Sequence, residues 1–450
     1  MVQMNTKIKL TDTELEDKFS SIKPRMTPTE GHLEASRCLF CHDAPCITAC
    51  PTSIDIPMFI RQIMTDNVKG SAKTIFTQNI LGKSCAHVCP TEVLCEGACV
   101  YNHLNEKPID IGRLQAYATD WAIDNNISFF KKGPPTGKKV AVVGGGPAGL
   151  ACAHRLTVLG HEVVVYESNE KAGGLNTYGV APYKYTNKDS EQEVNYLSKI
   201  GFEIKTNSPI NKFTLSEIEK KYDAIFLGIG LGKSKRLNIP GEDLRDVYGA
   251  GEFIHELRKK EQKVKVGKKV IVIGAGNTAI DAAVESSKLG ADVTIVYRRS
   301  EKEQSAYFFE VELAKKNDVK FMYLTSPLEI LGKTTVEGLK CVKNKLEVKT
   351  DNKKPETVPI KDSEFVIPCD MVILATGQEK MIDFYSSISN LELNNGKIIV
   401  SKSFQTKNPK YFAGGDCVNG GKEVVNAVAN GRDAATGIHE YLKTSLRGTT

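Results

Sequence analysis

Two stretches of this chain repeat one design almost residue for residue: KKVAVVGGGPAGLACAHRLTVLGHEVVVYES (138–168) and KKVIVIGAGNTAIDAAVESSKLGADVTIVYRRS (268–300). Each passes from a β-branched run through a glycine-rich turn into an alanine-rich helix and a second β-branched run, the pattern of a β-α-β unit on a parallel sheet. A chain that carries it twice is committed to two nucleotide-binding sheets, and the apolar runs Ala224–Gly228 and Met371–Ala375, each leading into a glycine-containing turn, read as sheet edges where the chain crosses between the two domains. Its 450 residues, 41% apolar and 25% charged, have an ordinary globular composition with room for two or three cores.

In the first stretch Gly144-Gly145-Gly146-Pro147-Ala148-Gly149 follows the strand Val140–Val143 and opens a helix, so backbone N–H groups can face a pyrophosphate. Gly144 permits the tight turn, Gly146 the close phosphate approach and Gly149 the helix–strand contact. Glu167 stands 23 residues after Gly144, where a carboxylate can accept both ribose hydroxyls. The second fingerprint is Gly274-Ala275-Gly276-Asn277-Thr278-Ala279, and at the position matching Glu167 it has Arg298 followed by Arg299. A guanidinium there attracts a 2′-phosphate, which favours NADPH over NADH; the plain alternative is a pair of surface cations.

Residues 1–130 differ in texture. Apolar residues recur at helical spacing in IPMFIRQIMTDNVKGSAKTIFTQ, and the region reads as all-α. The polar connector KKGPPTGKK (131–139) marks its end. Eight of the twelve cysteines fall between Cys38 and Cys99, as Cys38-x2-Cys41-x4-Cys46-x3-Cys50-Pro51 and Cys85-x3-Cys89-Pro90-x4-Cys95-x3-Cys99. The first twenty residues lack the apolar run of a secretory signal, and nowhere do about 18 apolar residues run uninterrupted. The chain is therefore expected in the cytoplasm with reduced thiols and away from membranes, and the clustered thiols suggest metal. Close spacing lets one loop supply several thiolates to one iron–sulfur cluster, while a cysteine followed by proline can point to a second cluster. A structural zinc site is the alternative, although only one C-x2-C unit is present; a disulfide framework is the other. The net charge of +6 is too mild to argue for nucleic acid.

Residues 138–450 resemble the pyridine-nucleotide–disulfide reductase superfamily, in which an FAD domain is interrupted by an NAD(P)H domain. The resemblance rests on both fingerprints and on Lys171-Ala172-Gly173-Gly174-Leu175, Ala375-Thr376-Gly377 and Phe412-Ala413-Gly414-Gly415-Asp416. It implies that Asp416 holds FAD and that a helix from about Val424 points its N-terminus at the flavin ring. Lys184 stands where many relatives have arginine in a turn near the flavin, and Asn277 replaces an acidic residue of several relatives. The redox C-x-x-C of the disulfide reductases is missing, since Cys152, Cys341, Cys369 and Cys417 stand alone. Electrons must then leave the flavin by another route.

The string Arg37-Cys38-Leu39-Phe40-Cys41-His42-Asp43-Ala44-Pro45-Cys46, with Cys50-Pro51, Cys89-Pro90-Thr91 and Ile111-Gly112-Arg113-Leu114-Gln115, closely resembles the N-terminal domain of dihydropyrimidine dehydrogenases and, less closely, glutamate synthase small subunits. This resemblance implies one 4Fe-4S cluster on Cys38, Cys41, Cys46 and Cys99, and another on Cys50, Cys89, Cys95 and Gln115, with Cys85 left as a non-ligand. The expected architecture is α/β: an all-α iron–sulfur domain (1–137) followed by two Rossmann-like domains, an FAD domain in two segments (138–262 and 376–450) interrupted by an NADPH domain (263–375). The FMN-bearing (β/α)8 barrel on which those dehydrogenases reduce uracil and thymine is absent, so a separate FMN/iron–sulfur catalytic subunit is the expected partner. The chain itself is expected to take hydride from NADPH onto FAD and pass single electrons to its clusters, with no catalytic acid or base assigned. Three other readings are a glutamate synthase small subunit, a stand-alone NADPH:ferredoxin-type oxidoreductase and a non-enzymatic module keeping a dead nucleotide fold.

Overall fold

The computed structural model describes residues 10–347 and 355–447; residues 1–9, 348–354 and 448–450 lie outside the described residues, and with them the start of the stretch read above for an export signal. Before the first strand the described residues form seven α-helices: α1 (Asp12–Lys18), α2 (Pro28–Ser36), α3 (Pro45–Ala49), α4 (Ile56–Met64), α5 (Val68–Gln78), α6 (Gly82–Val88) and α7 (Ile111–Asp124). Their starts are chemically marked. Thr27 and Glu30 form a reciprocal capping box on α2, the Asp55 carboxylate accepts the Met58 N–H of α4 at 3.1 Å, and the Asn67 side chain accepts the Gly70 N–H of α5 at 2.9 Å. Ile56, Phe59, Ile60 and Ile63 form the buried stripe of α4, which fixes its inward face.

The described residues of 21–177, 184–231 and 380–450 form one compact unit, and those of 1–20, 178–183 and 232–379 a second. In the larger unit β1 (Lys139–Val143), β2 (Glu162–Tyr166), β3 (Glu203–Lys205), β4 (Ala224–Leu227) and β15 (Tyr411–Ala413) make a parallel sheet in the order β15-β4-β1-β2-β3. Its helices are α8 (Pro147–Val158), α10 (Asn187–Ser198), α11 (Lys212–Lys221), the short α15 (Ile382–Tyr385) and α16 (Asp416–Asn419), and α17 (Val424–Arg447), while β13 (Leu393–Asn394) and β14 (Lys397–Ile398) form a small hairpin. The single turn α9 (Leu175–Tyr178) ends where the chain leaves this unit. Helix α17 lies on α8, and Gly431 makes that possible: a Cβ there would stand 2.0 Å from the Ala148 carbonyl oxygen.

In the smaller unit β5 (Val247–Gly249), β6 (Lys269–Ile273), β7 (Asp292–Val296), β8 (Lys320–Met322) and β12 (Met371–Leu374) form a second parallel sheet in the order β5-β12-β6-β7-β8, accompanied by α12 (Ala250–Lys259), α13 (Asn277–Lys288) and α14 (Phe308–Lys316). An antiparallel sheet of β9 (Thr325–Leu331), β10 (Gly338–Glu347) and β11 (Glu356–Pro368) is inserted before β12. Helix α1 belongs here, with Phe19 stacked on Tyr183 at 6.5 Å between ring centroids.

The runs Ala224–Gly228 and Met371–Ala375 read as sheet edges in the sequence, and this is corrected by the structure. Both strands lie one position in, because β15 and β5 close the sheets outside them. Each closing strand is three residues long, too short to show a periodicity.

Candidate functional site

The helices of the larger unit bring distant cysteines together. Cys38 and Cys41 lie on a tight turn in which Phe40 has φ +49°, Cys46 is on α3, and Cys99 precedes a short 3-10 helix beyond Cys95. Together Cys38, Cys41, Cys46 and Cys99 line one pocket whose other walls include Ile56 and Ile60. Burial pushes the Cys46 thiol up to about 12, and Cys38 and Cys99 add to the rise; Cys38 is likewise raised by burial and by Cys41 and Cys99. Thiolates this close oppose one another's ionisation unless a cationic core sits among them. Among the described residues no three His, Cys, Asp or Glu side chains converge on a single-ion site. The four thiols instead stand around a cavity, as the corner ligands of a four-iron cluster would.

A second group forms nearby. The Cys95 thiol is raised by burial and then by Glu96, Cys89 and Cys50, and Cys89 is raised first by its hydrogen bond with Cys85. The Cys50 sulfur lies 3.2 Å from Thr52 Oγ1. Gln115, buried on α7, donates its Nε2 to the Gly82 carbonyl at 2.7 Å, and among the described residues no donor reaches its amide oxygen. That oxygen could ligate a metal. All twelve cysteines are free thiols. Of those outside the runs, Cys152, Cys341 and Cys417 are wholly buried, the last donating to the Leu227 and Gly414 carbonyls.

The first glycine turn packs backbone on backbone. A Cβ on Gly149 would meet the Gly144 carbonyl oxygen at 1.9 Å, and one on Gly174 would meet the Gly146 Cα at 2.7 Å. The space beside α8 is thus a cradle that side chains would fill, which fits a pyrophosphate. Glu167, buried at the end of β2, accepts the Gly145 N–H at 2.9 Å and the Asn169 N–H at 2.8 Å. Leu175 is half exposed at the start of α9, and Lys184 is half-buried in the turn between Tyr183 and Tyr185. Gly415 leads into Asp416, the first residue of α16, and its N–H donates to the Asn430 side chain of α17 at 3.2 Å. Burial raises the Asp416 carboxyl, against the Lys422 N–H and Lys380. Glu423, just before Val424 at the start of α17, adds negative potential at both Asp416 and Cys89, so the Asp416 end of the cradle and the second cysteine group lie within electrostatic reach of one residue. The roles of Asn430 and Glu423 had no sequence signal beyond their nearness to the Asp416 motif.

In the smaller unit Gly274 repeats the turn and Gly276 caps α13, followed by Asn277 and Thr278. The Asn277 side-chain carbonyl accepts the Tyr307 N–H at 3.0 Å, so half of its amide already orders the neighbouring loop. Arg298 is exposed, while Arg299 is half-buried with its Nε lacking an acceptor among the described residues. An unpaired buried guanidinium N–H suits an anionic ligand. Gly377, just past β12, accepts the Lys235 N–H at 2.9 Å and belongs to this unit, apart from Gly415 and Asp416.

Between the cysteine helices and α10 lies a buried polar network that the sequence reading missed. Lys83, wholly buried on α6, places Nζ 2.9 Å from Asp120 on α7 and 2.9 Å from Asp189 on α10. Beside them Glu193 accepts the Ser84 N–H and the Tyr185 hydroxyl, each at 3.0 Å, and burial pushes its carboxyl up to about 7. A carboxyl raised above its unfolded value of about 4.3 stabilises the fold fully below that pH and loses the contribution as pH climbs through 7. Glu193→Gln is therefore expected to flatten the fall in stability between pH 5 and 8 by up to about 3 kcal/mol, read from denaturant melts across that range; an unchanged slope would remove Glu193 as its source.

Among the described residues no helix is long and apolar enough to cross a membrane. The family profile described as pyridine nucleotide-disulphide oxidoreductase matches residues 138–431, and that described as dihydropyrimidine dehydrogenase domain II, 4Fe-4S cluster, matches 15–127. The chain is 34% identical over 428 residues to the NAD-dependent dihydropyrimidine dehydrogenase subunit PreT of Escherichia coli O157:H7, covering 94% of this chain and 97% of the relative. It is 33% identical over 449 residues to the glutamate synthase [NADPH] small chain of Escherichia coli K12, covering 95% and 94%. Among solved structures, Mycobacterium tuberculosis FprA in complex with NADPH superposes with a TM-score of 0.59 at 20% identity over 69% of this chain and 86% of that one, a likeness of fold.

Proposed function

The chain belongs to the pyridine nucleotide-disulphide oxidoreductase family and is an NAD(P)H-dependent oxidoreductase with FAD and 4Fe-4S clusters, and from that premise we propose that it is the electron-input subunit of a cytoplasmic pyrimidine reductase, oxidising NADPH to feed a separate FMN/iron–sulfur subunit that reduces uracil or thymine. What carries the reading is the meeting of Cys38, Cys41 and Cys46 with Cys99, from the other cysteine run, around one pocket. Cys50, Cys89, Cys95 and the amide oxygen of Gln115 would hold the second cluster. Gly144, Gly146, Ala148, Gly149, Gly174 and Leu175 would cradle FAD, with Glu167 on its ribose, Asp416 on its ribityl side and Lys184 and Val424 toward the ring; Gly377 would serve at the return crossing. Gly274, Gly276, Asn277 and Thr278 would hold the NADPH pyrophosphate and Arg298 with Arg299 its 2′-phosphate. The bound groups supply hydride acceptance and one-electron release. The chain's own residues orient them, bury them and, through a neutral amide in place of one thiolate, make one cluster less negative than the other.

The test is anaerobic NADPH titration of the holoprotein followed by optical and paramagnetic resonance spectra, then addition of uracil with and without an FMN subunit. Flavin bleaching, a cluster signal and uracil reduction only with the partner are expected; absence of iron and of bleaching would overturn the reading. A second reading, a glutamate synthase small subunit, is favoured by the 33% identity over nearly the whole chain, and glutamate formation with a large subunit in place of uracil turnover would establish it.

Nucleotide choice is separately testable. Arg298→Ala with Arg299→Ala is expected to weaken NADPH binding about tenfold to hundredfold, the loss of one or two charge-assisted hydrogen bonds, and to leave NADH binding nearly unchanged. Equal losses for both nucleotides in calorimetry would show that the arginines do not read the 2′-phosphate.

A further inference from the structure

Helix α17 carries one side chain that reaches toward the cysteine helices. Arg432 follows Gly431, the residue that lets α17 lie on α8. Its Nη1 donates to the Thr52 carbonyl at 2.9 Å and to the carbonyl and side-chain oxygens of Gln78, each at 3.0 Å, while Nε pairs with Asp433 at 2.8 Å. Both partners lead to the second cysteine group. Thr52 is wholly buried, two residues after Cys50, and its hydroxyl is the group 3.2 Å from the Cys50 sulfur. Gln78 ends α5, where carbonyls lack helical partners and a cation is favoured. The next residue, Asn79, accepts the Leu81 N–H at 3.1 Å in the turn just before α6, the helix that Cys89 terminates.

One guanidinium therefore anchors the roots of two segments bearing Cys50 and Cys89, and it does so from the helix whose N-terminal residue follows Glu423, felt at both Asp416 and Cys89. All three oxygens lie on Nη1, and the Nε–Asp433 pair at the other edge of the rigid plane fixes the direction in which Nη1 points; a lysine ammonium has no second nitrogen to be held in this way. We propose that Arg432 is a positioning residue that sets the spacing between the flavin-side helix pair and the cluster of Cys50, Cys89 and Cys95. This rests on the reading above that these cysteines hold a cluster. In the balance of the reaction one NADPH would yield NADP+, two electrons and a proton, and the two clusters, where bound, would accept one electron each.

The experiment compares wild-type holoprotein with Arg432→Gln and Arg432→Lys by anaerobic rapid mixing with NADPH and by hydrogen–deuterium exchange. In Arg432→Gln the flavin bleaching phase should keep its wild-type rate while cluster reduction slows about tenfold or more, the scale of loss that follows an ångström of misplacement. Exchange should rise in residues 50–54 and 76–81, a readout independent of turnover, and Arg432→Lys should fall between. Should Arg432→Gln fail to retain its iron, Arg432→Lys decides alone by the same two readouts. Wild-type rates and exchange in the decisive variant, or equal slowing of both phases, would overturn the proposal. Absence of a cluster signal in the wild type would instead overturn the cluster reading.

Discussion

Lys83→Met is expected to destabilise the folded chain by about 3 kcal/mol or more, because it removes one partner from a buried ion cluster and leaves the others charged. The lysine is wholly buried, Asp120 is 5% exposed, and after the change Asp120 keeps, among the described residues, one cationic partner, Arg25, whose Nε lies 3.0 Å away with half of its side chain in water. Asp189 loses the cation that, against the cost of burial, holds its carboxyl below the ordinary range. A lowered carboxylate stabilises the fold above its unfolded value and ceases to do so as pH falls through the folded one, so the penalty should be full at pH 7 and shrink below about pH 4. Urea melts of the single variant and of Lys83→Met with Asp120→Asn would check it. Partial recovery in the double variant is expected, whereas a single variant as stable as wild type would mean that the three charges are not coupled.

Gly149→Ala should cost the protein its flavin. The added Cβ would stand 1.9 Å from the Gly144 carbonyl oxygen and 3.2 Å from Val142 Cγ1, so α8 has to leave β1 and the pyrophosphate loop with it. Flavin per chain after desalting is expected to drop at least about tenfold, a loss of about 1.4 kcal/mol or more in binding. A change in the other fingerprint, where alanine already stands at the position matching Gly149 (Ala279), is a control: a Cβ on Gly276, the counterpart of Gly146, meets nothing nearer than Ser305 Oγ at 3.3 Å, so Gly276→Ala should keep both fold and flavin. Wild-type flavin content in Gly149→Ala would show that the loop can relax around a methyl group.

Both β-α-β repeats and the helical amino-terminal region were legible because local periodicity and turn chemistry carry them, and the start of α17 because the family resemblance implied it. The rest depends on partners far apart in the chain. Nothing in the string around Lys83 announces Asp189, and nothing around Arg432 announces Thr52. The antiparallel sheet β9–β11 escaped because its strands sit half in water without a clean alternation. Within the site, spacing revealed which cysteines are neighbours along the chain, but only folding brings Cys99 round to Cys38 and turns the Gln115 oxygen free of Gly82. Asn277 shows the converse, a motif position whose side chain is partly engaged by its own loop.

Strand β15 pairs with β4, Phe412 opposite Phe226, and everything from residue 232 to 379 is translated between them. During synthesis both cysteine runs have therefore emerged long before the flavin sheet receives its last strand, and the intervening unit can fold as a body of its own in the meantime. Completion is thereby ordered along the polypeptide: all eight clustered thiols are made early, but Arg432, which ties their segments to α17, and the strand that closes the flavin sheet both come last, so a chain stopped before residue 411 would carry its thiols without either.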